Sequence, residues 1–155
     1  MRVLSSPAHW GYVARAEVAL ILGFRAFCLR NKGRYMQYAR ARSLRPDEAQ
    51  AVVESVLQAL MMRWPRIITS DRPAHEAWEL LAYQVATIVR ESKRAHDWQG
   101  GDTVHRTLSG QEADVVVLRY RLSLDPVQTA DLMGLDVPEV TVSLRKGISE
   151  LLAPR

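Results

Sequence analysis

Apolar residues recur every three or four positions through nearly the whole chain, and nowhere do they alternate for long enough to make one face of a strand. That periodicity restricts the chain to an all-α fold. From Val13 to Arg42 the residues Val18, Leu22, Ala26, Leu29, Tyr35, Tyr38 and Ala39 follow it, with Asn31-Lys32-Gly33 predicted as a break between two helices. Pro46-Asp47-Glu48 is a helix start, and Val53, Val56, Leu57, Leu60 and Trp64 form one apolar stripe that Pro65 is expected to end. Asp71-Arg72-Pro73 opens the next helix, whose stripe of Trp78, Leu81, Ala82, Val85 and Val89 runs into the basic residues Arg90, Lys93 and Arg94. Between Ala95 and Thr107 the sequence is polar, glycine-bearing and aperiodic, which reads as a linker.

Three helix starts follow. Ser109 with Glu112 has the spacing of a capping box, ahead of Val115, Val116 and Leu118. Asp125-Pro126 is an N-cap and first-turn pair for a short helix with Val127, Ala130 and Leu132, closed by Gly134. Asp136 and Glu139 then cap a last helix with the spine Val137, Val140, Leu144, Ile148 and Leu151. Ala130, Gly134 and Val140 stand where a helix-turn-helix places a small residue at the helix crossing, a glycine in the turn and an apolar anchor. An ordinary helical hairpin with a glycine cap has the same local pattern.

At 155 residues the chain has room for two small helical domains. The expected division is an N-terminal extension over 1–20, a first domain over 21–94, the linker 95–107 and a second domain over 108–155. Charge divides the same way: residues 1–106 carry 16 basic against 10 acidic side chains, +6, and residues 107–155 carry 5 against 7, −2. The single Cys28 cannot form an internal disulfide and is expected to be a buried, inert thiol, which favours the cytoplasm. Val18 to Phe24 is too short to span a bilayer, and no targeting segment is expected. His9, His75, His96 and His105 lack metal-site spacing and are expected at the surface or in the linker, while Trp64 and Trp78 lie on apolar stripes, so core packing is expected of these two tryptophans rather than base stacking; Trp98 falls in the linker. With no phosphate-cradling loop, nucleophile elbow or acid–base cluster, an enzyme is not expected.

The segment Leu108 to Leu152, with Leu118-Arg119-Tyr120, Leu124-Asp125, Thr129-Ala130, Leu132-Met133-Gly134 and Val140, resembles the promoter-binding C-terminal domain of sigma factors. Phe24-Arg25-Ala26-Phe27, Tyr38-Ala39-Arg40-Ala41-Arg42, the helix from Asp47 to Trp64 and Leu81-Ala82-Tyr83-Gln84-Val85-Ala86 are similar, in order and spacing, to the core-binding domain of the extracytoplasmic-function sigma factors. The resemblance implies a region 2-like bundle that docks on core RNA polymerase and a region 4-like helix-turn-helix that reads promoter DNA, with an anti-sigma protein as a further partner and neither membrane nor small-molecule cofactor. It places Glu54 on the polymerase-facing side, with Gln50 and Gln58 inferred as its neighbours there, and Arg90, Lys93 and Arg94 near opened DNA. The chain departs from the family at Ala49-Gln50, Val53-Glu54, Leu81-Ala82 and Thr87-Ile88. Its recognition helix would present Pro138, Thr141, Val142 and Arg145, of which one is basic, leaving phosphate contacts to Arg145, Lys146, Arg119 and Arg121. Two other functions fit a divergent chain of this kind: a sigma-like regulator that has exchanged promoter reading for protein binding, and a stand-alone dimeric helix-turn-helix repressor.

Overall fold

The computed structural model describes residues 7–96 and 103–154, with side chains described for Gly11, for 14–92 and for 103–154. Among the described residues the protein is all-helical, with α1 (Pro7–Ala41), α2 (Pro46–Ile67), α3 (Pro73–His96), α4 (Thr103–Thr107), α5 (Gly110–Tyr120), α6 (Pro126–Met133) and α7 (Val137–Leu152).

The predicted break at Asn31-Lys32-Gly33 does not occur, and α1 is one helix of 35 residues that also takes in residues 7–20 of the expected N-terminal extension. Asn31 sends its side-chain amide back to the Phe27 carbonyl at 2.9 Å, a bond made within the helix. A mid-helix glycine costs about 1 kcal/mol relative to alanine. Burial of Tyr35, Tyr38 and Ala39 just beyond Gly33 outweighs that cost, since a fully buried large apolar side chain is worth about 2 kcal/mol.

Helix α2 starts where Pro46 and the acidic pair Asp47 and Glu48 place it, with the Glu48 carboxylate accepting from the Arg45 backbone N–H at 3.1 Å. It runs two residues past Pro65, to Ile67. Proline removes one backbone donor, so the carbonyl it orphans is that of Met61 on the exposed side, where water serves as well. The buried stripe is Val52, Val53, Val56, Leu60, Trp64 and Ile67. On α3 it is Ala77, Trp78, Leu81, Val85 and Val89. Phe24 and Phe27 of α1 clasp Trp64 with ring centres 5.4 and 5.3 Å away.

Three expectations for the C-terminal part need correction. Thr103–Thr107, expected as linker, is a helical turn, α4; it packs on α5 because Val104 meets the buried Leu108, Ala113 and Val116. At Ser109 the helix starts as expected, but the hydroxyl makes no capping bond. The inward side of α7 is Val140, Ser143 and Gly147 with Leu144 beside them, whereas Val137 and Leu151 are exposed. Gly147 suits that packing: a Cβ there would stand 3.0 Å from Val116 Cγ2 and 3.2 Å from Leu108 Cδ1, so glycine lets α7 lie against α5 without those side chains shifting.

One buried cluster runs through both halves of the chain. Tyr38, Leu60, Trp78 and Leu81 belong to it together with Val115, Leu118, Met133 and Val140. α3 packs on α6 and α1 touches α5, so the two helical groups share a core on either side of residues 97–102.

Candidate nucleic-acid and protein interface

The helix-turn-helix is assembled from short-range chemistry. Asp125 accepts from the Gln128 backbone N–H at 2.7 Å while Gln128 accepts from the Asp125 N–H at 3.0 Å, and Pro126 occupies the first turn. Gly134 closes α6 in the left-handed conformation, φ 66°, and its N–H bonds the Ala130 carbonyl. After Leu135, Asp136 accepts from the Glu139 N–H at 2.8 Å and α7 begins. Ala130 and Val140 are buried at the crossing, as the spacing required.

The outward face of α7 carries Pro138, Thr141, Val142, Arg145 and Lys146, all exposed. Beside it lies an open groove of about 420 Å³ lined by Pro138, Val142, Ser143 and Lys146 from α7, and Ser109, Gln111 and Glu112 from the start of α5. Asp136 and Glu139 complete its rim, which therefore holds three carboxylates against one ammonium group. Because Glu139 is paired with Arg72 at 2.7 Å, two carboxylates, Glu112 and Asp136, are left against Lys146, a balance that disfavours phosphate.

Arg119 and Arg121, also expected at DNA, are occupied within the protein. Arg119 donates to the Leu124 carbonyl at 2.6 Å, fastening the α5–α6 turn. Arg121 donates to the Ala41 carbonyl at 2.8 Å, completing the C-terminus of α1. On α2, Gln50, Glu54 and Gln58 are exposed one turn apart, opposite the buried stripe, and the Gln50 amide donates to the Glu54 carboxylate at 3.1 Å. Arg90 is exposed on α3, with a nitrogen 3.4 Å from the Thr87 hydroxyl. Lys93 and Arg94 follow on that helix, but their side chains lie outside the described residues, as does Trp98. The structure thus gathers Thr141, Val142, Arg145 and Lys146 on α7, and Gln50, Glu54 and Gln58 on α2, as two separate surfaces.

Two features between the halves escaped the sequence reading. The first centres on Asp114, which is 4% exposed between Ala113 and Val115. Its carboxylate accepts from the Tyr38 hydroxyl at 2.5 Å and from the Trp78 indole N–H at 3.1 Å, and His105 Nε2 stands 2.7 Å from the oxygen that Tyr38 meets. Arg42 donates to the Tyr38 hydroxyl from behind at 3.2 Å. Burial first, then the Asp114 charge, pushes the Tyr38 phenol well above its ordinary range, with Arg42 opposing. A lone carboxylate in the run Ala113 to Leu118 was the available signal, because a charge on a buried face needs partners.

The second feature is the N-terminus of α3 against the helix-turn-helix. Arg72 donates to the Gly134 carbonyl at 3.1 Å and to the Glu139 carboxylate at 2.7 Å, while His75 Nδ1 meets the Met133 carbonyl at 2.9 Å. Glu139 therefore serves Arg72, not a reciprocal cap with Asp136. No sequence signal marks that pairing, since Arg72 and Glu139 lie 67 residues apart.

The described residues contain no group of three side chains suited to a metal ion, and no described helix is long and apolar enough to cross a membrane. No protein-family model matches the chain, and no curated protein matches it.

Proposed function

We propose that this protein is a sigma-type transcription-initiation factor of the extracytoplasmic-function kind, with residues 21–94 as its polymerase-binding part and 108–155 as its promoter-reading part, acting in the cytoplasm. The observation that carries this reading is the α6–α7 unit: two helices joined by a three-residue turn, Gly134 to Asp136, with the second helix open along Pro138, Thr141, Val142 and Arg145. Gln50, Glu54 and Gln58 on α2 supply the polymerase surface, and promoter DNA and core RNA polymerase are its partners. An anti-sigma protein would hold it inactive.

The test is capture of bacterial core polymerase followed by run-off transcription on genomic fragments. Wild type should bind polymerase and start specific transcripts. Glu54→Ala should weaken capture, and Arg145→Ala should abolish transcripts while leaving capture intact. Transcripts that survive both substitutions would sink the assignment of these two surfaces.

A second reading is favoured by the acidic rim of the α7 groove and by the internal duties of Arg119 and Arg121. In it the chain keeps the fold but binds protein where relatives of the proposed family read DNA. Retained capture of polymerase or another protein, without any promoter-specific transcript, selects this second function.

A further inference from the structure

Independently of that function, the N-terminal half of α1 carries a surface that the described residues do not cover. Its inner side, Leu20, Phe24, Phe27 and Asn31, faces the core. On the opposite side Val18, Leu22 and Leu29 are 53%, 57% and 87% exposed, with Ile21 beside them at 59%. Scattered apolar side chains on a surface are ordinary, but these are ordered. Val18, Leu22, Arg25, Leu29 and Lys32 follow one another at alternating spacings of four and three, the repeat of a helix seam that packs against another helix. The seam covers about 21 Å at 1.5 Å per residue.

Its charges select the occupant. Arg25 and Lys32 sit within the seam, both exposed, and neither has an ion-pair partner among the described residues. Across Pro7–Ala41 the helix holds six basic side chains and one acidic, Glu17. A second copy of this helix would set cation against cation along the seam, whereas a partner rich in carboxylates neutralises both seam positions as its leucines cover Val18, Leu22 and Leu29.

We propose that this face of α1 docks an acidic amphipathic helix of a partner protein, through Val18, Leu22 and Leu29 as apolar sockets and Arg25 and Lys32 as charge anchors. The test uses the full chain and two synthetic helical peptides of about three heptads, with leucine at a and d and either glutamate or lysine at e and g. Titration calorimetry should show the glutamate peptide binding and the lysine peptide not. Joint substitution Leu22→Asp and Leu29→Asp should weaken that binding by about tenfold or more. These two side chains are exposed, so the variant keeps its fold, which circular dichroism verifies. Joint substitution Arg25→Glu and Lys32→Glu should reverse the preference toward the lysine peptide. Binding of both peptides equally, binding of neither, or a self-dimer that Leu22→Asp and Leu29→Asp dissolve would each overturn the proposal.

Discussion

Replacing Asp114 by alanine is the sharpest perturbation the structure offers. The carboxylate satisfies the Tyr38 hydroxyl and the Trp78 indole N–H, both groups on side chains at most 2% exposed, and stands beside His105. Each of the two buried donors left without an acceptor costs about 1–3 kcal/mol, and His105 loses its partner as well. Relief of the carboxylate's own desolvation offsets part of this. The net loss for Asp114→Ala should be about 3–5 kcal/mol, and in a chain of this size about 10 °C in Tm. Asp114→Asn is the informative control. Its carbonyl oxygen can replace the atom facing Trp78, while its NH₂ faces the Tyr38 oxygen, which can accept, and His105 Nε2, which must give up the proton it directs at the carboxylate in order to accept. Only the phenolic hydrogen then lacks an acceptor, so about 1–2 kcal/mol should be lost.

Urea unfolding followed by helical circular dichroism measures both variants, and an altered midpoint at unchanged slope reports stability alone. A cycle with Tyr38→Phe should return a coupling of about 1–3 kcal/mol between the two positions. Loss of less than about 1 kcal/mol in Asp114→Ala, or equal losses in the alanine and asparagine variants, would refute a carboxylate hub joining the two halves.

Three further outcomes are expected. Gly134→Ala meets both a left-handed backbone and the main chain of Ala74 and His75, so urea unfolding should show a loss of about 2–5 kcal/mol, with α6 and α3 forced apart. Gly33→Ala, on an exposed stretch of α1 with open space around the new methyl group, should instead gain about 1 kcal/mol; a loss there would mean that α1 is not continuous through Gly33. Tyr35 and Tyr38 are both raised in the folded chain, chiefly by burial, whereas an unfolded tyrosine ionises near pH 10. The unfolded state therefore loses protons first, so stability should be intact below about pH 10 and fall above it. The Tyr35 hydroxyl has no hydrogen-bond partner among the described residues, so Tyr35→Phe should flatten that decline without cost at neutral pH, as pH-dependent urea midpoints would show.

What the sequence made legible was local. Asp125-Pro126, Gly134 and Asp136 place the ends of α6 and α7 because capping is decided within four residues, and the apolar periods of α2 and α3 placed their buried faces. Where a local preference competed with packing, packing prevailed: Gly33 did not break α1, nor did Pro65 stop α2 at once. The spine of α7 was misread at Ser143 and Gly147 because small residues carry no apolar signal, although smallness is what lets α7 approach α5. Exposure of Thr141, Val142, Arg145 and Lys146 followed from helical geometry, whereas the employment of Arg119 and Arg121 on backbone carbonyls depends on partners that only the folded chain brings near.

The join between the halves has a mixed character that bears on how they act together. Tyr38, Trp78 and Met133 supply apolar burial, but the directional contacts are Asp114 with its donors, Arg72 with Glu139, Arg121 with the end of α1, and Arg30 with Asp131 at 3.0 Å. Each of those polar groups can exchange its partner for water, so parting the surfaces forfeits mainly the apolar area, at about 25 cal/mol per Å². An apolar seam of equal size would lose both its burial and its solubility on opening. Polar bonds also fix register, because Arg72 must find Gly134 and Glu139 together. The arrangement therefore specifies one closed geometry while keeping the cost of leaving it low, and it holds the start of α7, where Glu139 sits, against α3. A ligand for the outer face of α7 that also needs the Glu139 end must displace Arg72 first.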